Sequence, residues 1–163
     1  MNLLFIFSSY YENIILKKGD DVMKIVVVYS NKCKDTKLLA QDMARYAKTY
    51  ARPLSAFDFN EDIDLLVLGF EENYCFKDKE LESFIKNLSR NHIKNLALFN
   101  MFYLSNKQMD NTIKLCQDLM LPLMRETYSC KKGIKAKHVV CDDILSGGRV
   151  YIEDMVNICR NYY

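Results

Sequence analysis

Three aliphatic runs constrain this chain more than any other feature: "KIVVVYS" (24–30) and "DLLVLGF" (64–70), both nearly devoid of polar residues, and "KNLALFN" (94–100), which reads as a further strand. A strand with one wet face alternates apolar and polar residues, so runs without that alternation read as strands buried on both faces. Between them lie segments with a helical apolar repeat. "DTKLLAQDMARYAKTY" (35–50) puts Leu39, Met43, Ala47 and Tyr50 on one stripe, and "KDKELESFIKNLSR" (77–90) does the same with Leu81, Phe84, Ile85 and Leu88. "NKQMDNTIKLCQDLM" (106–120) aligns Met109, Ile113, Cys116 and Met120 before Pro122 stops it. Pro53 forbids continuation of the first helix, which makes "LSAFDF" (54–59) a short strand. "LMRETYSC" (123–130) is the fifth strand, and Gly147 and Gly148 punctuate a loop before a closing helix, "RVYIEDMVNICRNYY" (149–163).

Strands alternating with helices predict an α/β domain: a three-layer, doubly wound, five-stranded parallel sheet. The runs at 24–30 and 64–70 suit central positions, and the short mixed segment after the first helix suits an edge. A closed barrel needs a longer chain. Ligands in open parallel sheets sit at the carboxyl ends of the strands, where the strand order reverses. No internal repeat or interdomain linker interrupts residues 23–163, which read as one domain.

The formal net charge of +2 spread over scattered Lys and Arg excludes the basic stripe of a nucleic-acid or anionic-membrane binder. Cysteines at 33, 75, 116, 130, 141 and 159 include no CxxC pair, which removes the usual zinc and thioredoxin-like patterns. Cys116 and Cys159 fall on apolar helix faces, where a thiol acts as a small hydrophobe. Unpaired, reduced thiols point to the cytoplasm. His92 and His138 have no ligand partner in the pattern, so no metal is expected.

Residues 1–22 read differently. The apolar run Leu3 to Phe7 is too short to span a bilayer, and a signal peptide's basic start and small-residue cleavage site are missing. Codons for Lys18-Gly19-Asp20 can form a purine-rich ribosome-binding sequence at a sensible distance before Met23. The expectation is that translation starts at Met23; the alternative is an ordinary flexible or docked N-terminal extension.

The stretch "VVVYSNKCKDTKLLAQDMA" (26–44) resembles the opening of flavodoxin-like proteins, in which the first strand enters a loop reading approximately Tyr-Ser-x-Thr-Gly-Asn-Thr-x-x-Leu-Ala. Tyr29, Ser30, Thr36, Leu39 and Ala40 keep that pattern. Residues 62–88 and 94–116 resemble the third and fourth strands, flavin loops and helices of the short flavodoxin-like proteins of anaerobic bacteria, among them the accessory protein of bilirubin reductase. "ETYSCKKG" (126–133) loosely resembles their fifth-strand segment, and the likeness covers nearly all of 24–160.

The resemblance implies FMN as cofactor and three ligand loops. Ser30, Asn31, Lys32, Cys33, Lys34, Asp35 and Thr36 match the phosphate loop. Tyr74, Cys75 and Phe76 match the second loop, with Tyr74 and Phe76 as stacking faces. Asn100, Met101, Phe102 and Tyr103 match the third, where these side chains cover a flavin or fill its space. Cys33, Lys34 and Asp35 stand where the family has Thr-Gly-Asn. Without glycine, Lys34 must take a different turn or accept strain of about 1 kcal/mol or more. Lys32 and Lys34 add positive charge, the helix N-terminus adds dipole and N–H donors, and Asp35 is placed to cap the helix. Glu71 and Glu72 would disfavour an anionic flavin if they faced it.

Three readings follow. The first is an FMN-binding electron carrier or redox partner subunit, with no catalytic side chain of its own. The second is a flavodoxin-like domain without FMN that serves as an interaction or structural subunit. The third is a phosphate-binding domain of response-receiver type, which needs an acidic cluster at the strand ends.

Overall fold

Each of the three aliphatic runs forms a strand in the computed structural model, which describes residues 16–18, 21–72, 78–132 and 140–162. A short antiparallel pair, β1 (Leu16–Lys18) and β2 (Asp21–Met23), precedes the main domain. The domain then runs β3 (Ile25–Tyr29), α1 (Lys34–Tyr46), β4 (Ala51–Pro53), a 3-10 turn (Leu54–Ala56) and β5 (Leu65–Glu71). It continues with α2 (Lys79–Asn87), β6 (Leu96–Phe102), α3 (Lys107–Asp118), β7 (Leu123–Lys131) and α4 (Asp142–Tyr162). The five main strands are all parallel, in the order β4-β3-β5-β6-β7. This is the doubly wound five-stranded sheet expected, with β3 and β5 interior and β4 at the edge.

The period-two alternation of a strand divides the core in two. Ile25, Val27, Tyr29, Leu65, Val67, Ala97, Phe99 and Met101 face α1 and α4. Val26, Val28, Leu66, Leu68, Phe70, Leu96 and Leu98 face α2 and α3. Both faces of β3 and β5 are therefore covered, which is why their sequences carry no polar alternation. No α-helix links β4 to β5; Phe57, Phe59 and Phe84 pack there with ring centroids 5.0–5.3 Å apart and cover that part of the sheet.

Four expectations need correction. The second strand is residues 51–53, not 54–59: Pro53 closes an edge strand, where its missing N–H costs least, and Leu54 and Phe57 reach the core from a 3-10 turn. Tyr50 and Met120 leave their predicted stripes and are 67% and 70% exposed. Both helices end earlier, at turns where Lys48 and Met120 take positive φ. The closing helix starts at Asp142, so Gly147 and Gly148 lie inside it. A Cβ at Gly148 would come 2.8 Å from Leu39 Cδ1, and one at Gly147 would come 2.4 Å from the Tyr128 hydroxyl. These glycines allow α4 to sit close to α1 and β7; they do not mark a loop.

Candidate functional site

The chain leaves β3 toward β4 and leaves β5 toward β6, so the strand order reverses between β3 and β5. A crevice outside their carboxyl ends is the expected ligand position. Residues 30–33 carry β3 into α1. The Ser30 amide donates to the Gly69 carbonyl at 2.9 Å, which ties the loop to β5. Cys33 is extended at φ −134°, and Lys34 is already the first residue of α1. Among the described residues the positive-φ non-glycines are Lys48 and Met120, so the loop has taken a different turn and carries no left-handed strain. Asn31, Lys32 and Lys34 are exposed; Ser30 and Thr36 are buried at 3% and 0% exposure.

Lys132, directly after β7, reaches across this end of the sheet. Its ammonium lies 2.5 Å from Asp35 Oδ2, 3.2 Å from Glu71 Oε1 and 3.7 Å from Cys33 Sγ, and 4.7 Å from the centre of the Tyr103 ring. The side chain is 12% exposed. Burial alone would lower its pKa, but hydrogen bonds to Asp35 and Tyr103 and the charge of Glu71 outweigh that and raise it. Lys132 is a fixed cation here, not an amine nucleophile. Cys33 is the opposite case. Burial and a hydrogen bond with Glu71 push its thiol pKa up, against the pull of the Thr36 and Asp35 amides, so it stays a neutral thiol.

Asp35 is therefore not the helix cap expected of it; Cys33 occupies that position, and the Asp35 carboxylate is held by Lys132. Lys32 is paired across to α2. Its ammonium donates to Asp78 Oδ1 at 2.5 Å, and the same oxygen accepts the Leu81 amide at 3.1 Å as the N-cap of α2. Glu72 is buried and accepts the Gln108 amide at 2.7 Å in the first turn of α3. Burial raises its pKa, an effect the Gln108 amide opposes. Its charge is thus engaged by α3. A carboxylate sits in or at the first turn of each of α1, α2 and α3, where the helix dipole favours it.

Asn100, Met101 and Phe102 belong to β6 and not to a loop. Met101 is buried in the α1–α4 core. Asn100 donates at 2.6 Å to Asn106 Oδ1, and Asn106 donates at 2.9 Å to Ser129 Oγ, which links β6 to β7. Tyr103 lies half-buried against Lys132. Tyr74, Cys75 and Phe76 lie outside the described residues.

Six buried side-chain polar atoms among the described residues have no hydrogen-bond partner, and four of them cluster by element at this end: Ser30 Oγ, Thr36 Oγ1, Glu71 Oε2 and Asn100 Oδ1. Leaving a buried polar atom unpaired costs about 1–3 kcal/mol. All four belong to residues at or next to the carboxyl ends of β3, β5 and β6, where ligands of open parallel sheets bind. The sequence singled out Ser30, Thr36 and Asn100, but not Lys132 or Asp78. Asp78, just before an apolar helical repeat, was legible as a cap.

No family model matches this chain, and no curated protein matches it. Solved structures do. A flavodoxin from the domain Archaea superimposes with a TM-score of 0.71 at 15% identity, over 85% of this chain and 100% of that one. Flavodoxin 2 from Bacillus cereus gives 0.63 at 11% identity, over 82% of this chain and 98% of that one. The rubredoxin oxygen:oxidoreductase of Desulfovibrio gigas gives 0.67 at 10% identity, with 84% of this chain matching 36% of that longer chain. Strand order, helix placement and these superpositions agree: this chain has the flavodoxin-like fold.

Proposed function

We propose that the protein binds FMN at the carboxyl ends of β3, β5 and β6 and passes electrons to a protein partner. The four unpartnered buried atoms carry this reading. Two are hydroxyls able to donate to a phosphate, beside the N-terminus of α1; two are oxygens able to accept from ring N–H groups. Ser30, Thr36 and the first amides of α1 would hold the phosphate, with Lys132 balancing Asp35 and Glu71, and Asn100 would meet the ring. Bound FMN supplies the redox chemistry; the side chains bind and orient it.

The neighbours described as flavodoxins support the reading at the level of fold. The finer form of the proposal, a cytoplasmic redox partner subunit, rests on the resemblance read from residues 62–88 and 94–116. No helix of the described residues is long and apolar enough to cross a membrane. A net charge of +2 implies a partner whose docking face is not strongly basic.

The test is uptake of the cofactor. Protein mixed with FMN and gel-filtered should retain absorbance near ~450 nm, as a bound flavin requires. A second reading, a flavodoxin-shaped interaction subunit without FMN, is favoured by the Lys132–Asp35–Glu71 cluster in the crevice. Colourless protein after the same treatment would decide for it.

A further inference from the structure

Lys132 reaches, from its place after β7, the segments that follow β3, β5 and β6. Two of its contacts are to carboxylates and the others are to neutral groups. An ammonium has three donors. Asp35 and Glu71 take two, while the third direction offers a neutral thiol at 3.7 Å and the face of Tyr103. Glu71 Oε2 is buried without a partner, and so are the nearby hydroxyls of Ser30 and Thr36. Two carboxylates against one ammonium leave a net negative charge that would repel a phosphate. An arriving anion therefore gains most by drawing the ammonium off Asp35, since a hydrogen bond between two charged groups in a buried site is the strong kind.

We infer that Lys132 is the affinity-determining cation of this crevice and that Asp35 restrains it, so anionic ligands bind by competing with Asp35 for its ammonium. The ligand's identity as FMN rests on the reading above; the competition rests on the ion cluster alone.

The experiment titrates FMN and, separately, inorganic phosphate into the wild type, Asp35→Asn, Lys132→Met and Lys132→Arg, with folding checked by far-UV circular dichroism and thermal melting. Asp35→Asn should tighten binding by about tenfold, and Lys132→Met should weaken it by about tenfold or more. Lys132→Arg, which keeps the charge, should bind clearly better than Lys132→Met. If Asp35→Asn does not fold, Glu71→Gln carries the same expected sign for inorganic phosphate, which has no use for Glu71 as a ring acceptor. Unchanged or weaker binding by the carboxylate variant, or undiminished binding by Lys132→Met, overturns the inference. FMN bound equally by all variants overturns it while leaving the flavin reading intact. Phosphate following the pattern without FMN binding does the reverse. Binding of neither ligand by any folded variant overturns both.

Discussion

Asp42 on α1 accepts both Nε and Nη2 of Arg149 on α4, at 2.8 and 3.0 Å, while Arg45 donates to it from the same helix at 2.6 Å. This buried carboxylate joins the two helices that cover one face of the sheet, beside the glycine that lets them approach. The hydrogen bonds from Arg149 hold its pKa below the usual carboxylate value, despite the opposing effect of burial. A lowered folded pKa adds stability above the unfolded value of about 3.9, and that stability is lost as pH falls through the folded value. Asp42→Asn should therefore cost roughly 1–3 kcal/mol near neutral pH. The gap from wild type should shrink in acid. Urea unfolding at the two pH values checks both statements; a gap independent of pH would contradict them.

A Cβ at Gly69 would lie 2.0 Å from Phe99 Cζ, inside the core of the α1–α4 face. Phe99 is fully buried and has nowhere to move. Gly69→Ala should destabilise by about 1–3 kcal/mol or more through overpacking. Adding Phe99→Leu should recover part of that loss, and a double variant less stable than Gly69→Ala alone would sink the explanation.

Cysteine reactivity should follow burial. Desolvation pushes Cys116 up to about 12 and Cys159 up to about 11. Burial together with Glu71 raises Cys33, whereas Cys141 is exposed. With iodoacetamide at mildly alkaline pH, peptide mass mapping should find Cys141 modified well before Cys33, and Cys116 and Cys159 last. Early labelling of Cys33 would mean that its thiolate is stabilised after all.

Lys34 tests the glycine-free loop. Because it opens α1 with ordinary helical φ, glycine offers no relief there and brings a helix penalty of up to about 1 kcal/mol. Lys34→Gly should melt slightly lower than the wild type, and FMN binding should persist. A higher melting temperature would show that the loop is strained.

The sequence carried the architecture well where burial is strongest. Continuous aliphatic runs placed β3 and β5 inside the sheet, and the stripe of Leu81, Phe84 and Ile85 on α2 with Leu88 at its C-cap is buried throughout. It failed where one residue type serves two purposes. Gly147 and Gly148 read as loop residues, yet they provide close contact between packed elements. Tyr50 and Met120 kept the helical period past turns that periodicity cannot see.

The site was legible as a place but not as a network. Ser30, Thr36 and Asn100 follow from position at the strand ends. Of the adjacent pair Lys131 and Lys132, one is exposed and the other turns inward to Asp35 and Glu71. Which one turns inward depends on where β7 ends, and strand boundaries are the least readable feature of a sequence. The pairing of Asp35 with Lys132, 97 positions apart by residue number, has no local signal at all.

The most direct measurement compares FMN with riboflavin, which shares the ring system but lacks the phosphate. Flavin fluorescence quenching should show saturable 1:1 binding of FMN. Riboflavin should bind at least about tenfold more weakly, because the buried Ser30 and Thr36 hydroxyls and the α1 N-terminus then have no phosphate to meet. Equal affinity for the two flavins, or no binding of either, would contradict the assignment of this crevice as a flavin phosphate site.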